Sequence, residues 1–218
     1  MEKIFFAFYG NCNFHLFSFN FLLIVSYHLY NTTGFILRTA NVGEANKILF
    51  IFTEELGLVS AHAQSARKVT SKLRYSLREN SFARFSLVRG KNTWRLTDAE
   101  EIVSFSPKTE LQKLKIFASI LSLVGRFVHG EEENSKLFYE LKNLVAFLKN
   151  TKFTKDELGR FETLSVLKIL SSLGYIGENK DLKFYIQSPF DANVLEQFTP
   201  HRREALREIN RALEESHL

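Results

Sequence analysis

From residue 30 to 105 the apolar positions fall in short runs and alternations of period two, as strands do. Residues 33–39 are rich in β-branched and apolar side chains. Ile48, Leu49, Phe50, Ile51 and Phe52 form an unbroken apolar run, which predicts a strand covered on both faces. Asn41-Val42-Gly43-Glu44, between these two, has the composition of a turn. Residues 58–63 follow Gly57 as a third strand. Over 82–89, Phe85 and Leu87 share one face while Arg84 and Ser86 share the other. Trp94 and Leu96 then alternate with Arg95, after a short hairpin loop at Arg89-Gly90-Lys91-Asn92. Five short strands in about 75 residues predict a small closed barrel.

After Ser106-Pro107 the period lengthens to that of helices. Leu111, Leu114, Phe117, Leu121, Val124 and Val128 make one stripe; Leu137, Leu141, Leu144, Val145 and Leu148 make a second. Thr154 and Glu157 have capping-box spacing ahead of a third helix carrying Leu158, Phe161, Leu164, Leu170 and Leu173, with Gly174 placed to end it. Thr199-Pro200 predicts the start of a last helix with Leu206, Ile209 and Leu213 on its apolar face. Strands first and helices second predict an α+β chain of two adjoining units, a barrel over 30–105 and an all-helical domain over 106–218.

Residues 1–29 fit neither pattern. No charged side chain occurs between Lys3 and Arg38, and phenylalanines crowd the stretch. Its apolar run is broken by Asn11, Asn13, His15, Ser18 and Asn20, short of the roughly 20 apolar residues that a membrane span needs. Three readings stand open: upstream sequence translated from a misplaced start, a marginal membrane or signal anchor, or a structural extension. Cys12 is the one cysteine, and the six histidines include no pair three or four residues apart. That predicts neither a disulfide nor a structural zinc site, and no cofactor motif is present. The acidic sets Glu54-Glu55 and Asp98, Glu100, Glu101 read as solvated strand-end carboxylates, and no catalytic constellation is found.

Charge sharpens the picture. The chain carries a net +5. Within 64–95, however, Arg67, Lys68, Lys72, Arg74, Arg78, Arg84, Arg89, Lys91 and Arg95 are opposed only by Glu79, a local excess of +8. Cations that neutralise phosphates release condensed counterions, which drives sequence-independent binding to nucleic acid. Tyr75, Phe82, Phe85 and Trp94 lie among these cations. An exposed strand stacks its bases on such rings, although Phe85 and Trp94 share faces with core residues and Tyr75 is the freest. Neutralising five phosphates would give a salt slope of roughly −3.5.

Thr33-Gly34-Phe35-Ile36-Leu37-Arg38-Thr39, Gly43-Glu44-Ala45-Asn46-Lys47-Ile48-Leu49 and Phe52-Thr53-Glu54-Glu55-Leu56-Gly57 are followed by Ala63-Gln64-Ser65-Ala66-Arg67 and Ser71-Lys72-Leu73-Arg74. Farther on come Arg160-Phe161-Glu162 and Leu170-Ser171-Ser172-Leu173-Gly174-Tyr175. In order and spacing this set resembles the RecO family of recombination mediators. The resemblance implies an N-terminal OB-fold barrel followed by a helical domain, and a cytoplasmic, nucleoid-associated protein of DNA repair and DNA recombination that performs no bond chemistry. It implies binding of single-stranded and double-stranded DNA, annealing, pairing with RecR, contact with the C-terminal tail of single-strand binding protein, and indirect help to RecA, with no membrane partner. The DNA role carries over onto Arg67, Ser71, Lys72 and Arg74; Lys68, Arg78, Arg84, Arg89, Lys91, Trp94 and Arg95 join by charge and position. For the acidic tail, Lys113, Lys115, Arg126 and Lys142 are the available cations. Two departures stand out. Gln64-Ser65 replaces the Lys-Gly common in the family, removing a cation and a hinge glycine, and the four-cysteine zinc module of many members is absent.

Overall fold

The computed structural model describes residues 28–91 and 93–216, so the Phe-rich start lies outside the described residues save for its last two positions. Strands β1 (Leu29–Val42), β2 (Asn46–Thr53), β3 (Gly57–Ala63), β4 (Ser81–Arg89) and β5 (Trp94–Val103) close into a barrel in the order β1-β2-β3-β5-β4. All neighbours are antiparallel except β3 and β5, which meet in parallel at Ala61–Trp94 and His62–Arg95. This is the OB topology, with β1 long enough to pair with β2 through one half and with β4 through the other. The first strand thus runs past the expected turn to Val42, and the reversal falls on Gly43-Glu44-Ala45.

Helices α1 (Leu111–Phe127), α2 (Ser135–Asn150), α3 (Lys155–Ser172), α4 (Lys180–Gln187), α5 (Ala192–Gln197) and α6 (Arg202–Glu215) follow. The capping box of α3 forms as its spacing predicts, with Thr154 accepting from the Glu157 N–H and Glu157 accepting from the Thr154 N–H. At its far end Tyr175 N–H reaches Leu170 O and Gly174 N–H reaches Ser171 O, the paired bonds of a Schellman ending. The short α4 and α5 escape the sequence pattern, since eight and six residues carry too little periodicity; Asn179 and Asp191 cap them.

The last helix differs from expectation. Thr199-Pro200 opens a 3-10 turn, and α6 begins only at Arg202. It buries Ala205, Ile209 and Ala212, while Leu206 is 41% exposed. Two small residues let α6 lie close to α3, so Ala205 and Ala212 face inward beside the expected Ile209, Leu213 packs partly buried on the core, and Leu206 of the expected face turns outward. Leu111, assigned to the first apolar stripe, is likewise 44% exposed at the opening turn of α1.

Two cores result. One fills the barrel around Ile36, Leu49, Ile51, Phe85, Leu87 and Trp94. The other joins barrel to helices. Phe35, Phe52 and Phe82 leave the outer barrel wall and pack with Phe138 of α2, at ring-centre distances of 5.4, 5.9 and 6.2 Å. The α1–α2 loop closes the junction, where Leu58 N–H donates to Gly130 O at 2.9 Å.

Candidate nucleic-acid interface

The connection from β3 to β4 carries the densest positive charge. It leaves β3 through a turn held against the β1–β2 reversal. Ser65 N–H donates to Asn46 Oδ1, Arg67 N–H to Ala45 O and Arg67 Nη1 to Gly43 O, each at 2.9 Å. Ser65 adopts φ +54°, so the left-handed backbone that a glycine would favour is kept at this position despite the serine. A 3-10 turn, Lys72–Arg74, follows Ser71, which is partly buried and makes no side-chain cap. Lys68, Lys72, Arg74 and Tyr75 are exposed, Tyr75 to 68%. The lone acid of the run, Glu79, is turned away onto Thr39, accepting from its N–H at 2.7 Å and its hydroxyl at 3.0 Å. Lys68, Lys72 and Arg74 therefore have no carboxylate partner among the described residues.

The remaining cations are placed differently. Arg84 stands on the outer side of β4, on the far side of the barrel from β2, and pairs with Glu100 at 2.7 Å. Arg78 lies 3.8 Å from Glu101 and donates to Tyr75 O. Arg89 pairs with Glu131 and lies 4.7 Å over the Trp94 ring. Trp94 is 3% exposed, its indole N–H donating to Glu131 Oε1 at 3.0 Å and its ring meeting Tyr30 edge to face. A sealed indole offers no face to a base, so Trp94 is a support beneath the surface and not a stacking platform; Phe82 and Phe85 are buried likewise. Lys91 is exposed in the β4–β5 hairpin, and Arg95 stands beside His62 of β3. The nine cations thus divide. Arg67 is held against the β1–β2 reversal with Lys68 next to it, Lys72 and Arg74 follow in the same connection, Lys91 and Arg95 lie at the β4–β5 end, and Arg78, Arg84 and Arg89 are engaged by acids.

Between these groups runs a surface that the unbroken apolar run of β2 predicts to be covered. Phe52 of the β2 run packs against Phe138 of α2, whereas Ile48 and Phe50 are half-buried on the outer wall, Phe50 lining a cavity with Leu121 and Gly125 of α1. Register places Ala40, Ile48, His62 and Arg95 in one row and Arg38, Phe50 and Ser60 in the next. The Arg38 guanidinium lies 4.3 Å over the Phe50 ring. This is the β2–β3 face, bounded by the β1–β2 and β4–β5 loops, on which OB folds hold oligonucleotides. The available signal was the period-two register of Ile48 and Phe50, masked by the equally apolar residues between them. Among the described residues no group of histidines and acids could hold a metal ion, and no helix is long and apolar enough to cross a membrane.

A second feature lies on the helices. A groove of about 1110 Å³ between the first turns of α1 and α3 has Leu111, Ile116, Phe153 and Leu158 in its walls. Exposed Lys108, Lys115, Lys152 and Lys155 rim it. Lys113 also lines it but donates to Thr151 O at 2.8 Å and Lys149 O at 3.3 Å. Of the four cations available for an acidic tail, Lys113 and Lys115 reach this groove; Arg126 and Lys142 lie elsewhere, Lys142 beside Tyr139.

Comparison with known proteins agrees with the barrel. The family model "Recombination protein O N terminal" matches residues 27–105, the whole of β1 to β5. The chain belongs to the RecO family. Among curated relatives, the DNA repair protein RecO of Clostridium perfringens is 32% identical over 67% of this chain and 59% of its own length. The protein of the same name from Dehalococcoides mccartyi strain BAV1 is 32% identical over 71% and 60%. That of Clostridium acetobutylicum is 29% identical over 72% and 61%. This RecO-family chain therefore spans about three-fifths of the length of the curated relatives it matches.

Proposed function

We propose that the chain is a DNA-binding recombination mediator of DNA repair, without enzymatic activity, that holds single-stranded DNA across the β2–β3 face. The observation that carries this is the set of Lys68, Lys72 and Arg74, without ion-pair partners among the described residues, that follows Arg67, itself held against the β1–β2 reversal at the end of a half-apolar strand face that also bears Arg38, His62 and Arg95. Phosphates meet the cluster, Ser71 and the hairpin Lys91; bases lie toward Phe50 and Ile48, with Tyr75 free to stack. Duplex DNA engages the same cations through its backbone, and annealing follows from holding one strand while leaving its base edges open. The lysine-rimmed groove fits the C-terminal tail of single-strand binding protein, whose acids meet the rim and whose apolar end meets Leu111 and Phe153. RecR pairing, indirect help to RecA and a cytoplasmic, nucleoid-associated location complete the reading, on the strength of the family.

The test is a salt titration with a hydroxyl-ended single-stranded oligonucleotide, read by fluorescence anisotropy. The variant R67E/K72E/R74E is expected to bind more weakly, with the slope of log affinity against log salt flatter by roughly 2, about 0.7 for each phosphate that is no longer neutralised. Unchanged affinity and slope in a folded triple variant would overturn the DNA face. In the same series, a peptide of the single-strand binding protein tail is expected to bind the parent chain but not K115E/K152E/K155E. A parent chain that ignores the peptide is a plain DNA binder.

A further inference from the structure

The RecO reading leaves one site unused. Arg160 of α3, with Arg202 and Arg203 at the start of α6, lines a cavity of about 310 Å³ together with Asp156, Thr199 and Leu206. Among the described residues none of the three arginines forms an ion pair. The Nε of Arg160 is buried without a hydrogen-bond acceptor. Arg202 is fixed from behind: its Nε donates to Thr163 Oγ1 at 3.2 Å, and its guanidinium lies so close to α3 that a Cβ on Gly159 would sit 3.0 Å from Nη2. Burying a donor without an acceptor costs free energy, and three cations against the single carboxylate of Asp156 leave the pocket positive. Planar guanidinium forks suit a tetrahedral oxyanion with several free oxygens.

We propose that this cavity binds a phosphate monoester, and that in the working protein the monoester is the terminal phosphate of a DNA strand. A monoester brings about −1.5 to −2 charges and three free acceptor oxygens to a small, concave, three-arginine site. A phosphodiester inside a strand brings one charge and two free oxygens, and both of its ester arms would have to leave the cavity. The pocket lies on the helices, apart from the barrel's cationic cluster, so a strand end held here is separate from a strand interior held there. This proposal rests on the DNA-binding reading above, and its test is separable from it.

Two oligonucleotides of one sequence, with a 5′-phosphate or a 5′-hydroxyl, are titrated against the full chain, with a 3′-phosphate version as a third arm. The expected result is tighter binding of a phosphate-ended strand, on the order of tenfold, lost in R160Q/R203Q. Binding of the hydroxyl-ended strand stays the same in that variant. Arg202 is left intact because it also packs α6 on α3. A second readout is the melting midpoint in inorganic phosphate against chloride at equal ionic strength; phosphate is expected to raise it in the parent chain and not in the variant. Should end phosphates make no difference while inorganic phosphate still protects, the strand-end source is wrong. Should neither matter, the pocket itself is overturned. Loss of hydroxyl-ended binding in R67E/K72E/R74E bears only on the barrel, so the two readings fail independently.

Discussion

Gly57 shows how much a single residue can fix. It begins β3 at φ +64°, and a Cβ there would lie 2.4 Å from the carbonyl oxygen of Glu132 in the α1–α2 loop. A side chain would therefore meet both an unfavourable backbone region and main chain that cannot swing aside. Gly57→Ala is expected to lower the unfolding free energy by about 1–3 kcal/mol, measured as the urea midpoint at unchanged slope. A neutral result would show that the loop does not press on the barrel. The sequence marks Gly57 only as a strand-opening glycine, because the residue it must avoid is 75 positions away. Trp94 carries the same lesson. Alternation with Arg95 places it inward, yet only the fold supplies Glu131 as the acceptor for its indole.

At the scale of elements, α3 is held by its own sequence. Its Thr154–Glu157 capping box satisfies N–H groups that the first turn leaves open, and Thr154→Ala is expected to cost about 1 kcal/mol by thermal or urea unfolding. Hydrogen bonds from the Thr154 backbone and hydroxyl hold the Glu157 carboxyl below its ordinary value of 4.5. A carboxyl lowered on folding adds stability that is complete above that ordinary value and is lost as pH falls through the lowered one. The deficit of the alanine variant should therefore shrink on acidification below pH 4.5; a deficit constant down to the acid transition would contradict the box. Capping boxes and five-position stripes are local, which is why α2 and α3 are legible in the chain. The apolar face of α6 is legible in part: Ile209 is buried as its spacing predicts, but whether Leu206 or Ala205 turns inward depends on how near α3 lies.

For the molecule as a whole, the barrel and the helices share a core through Phe35, Phe52, Phe82 and Phe138. They are expected to unfold together. Trp94 is the only tryptophan and reports the barrel, while far-UV circular dichroism reports the helices. The two signals should give coincident transitions. Separate midpoints would mean that the aromatic junction does not couple the halves. The same assembly decides which cations are available. The acidic loop of the helical part, through Glu131, engages Arg89, and Glu100 and Glu101 of β5 engage Arg84 and Arg78. Lys68, Lys72 and Arg74, on the same connection as Arg78, form no ion pair with an acid among the described residues.

The order of strands then helices, the inward faces of β4, α2 and α3, and the excess of positive charge after β3 were all set by sequence, because each depends on neighbours within a few residues. Tertiary structure alone decided which of nine cations stay unpaired, that Ile48 and Phe50 border an open face, that Trp94 is sealed, and that Arg160 meets Arg202 and Arg203. Those outcomes depend on partners brought together from distant parts of the chain, and no local period records who the partner will be.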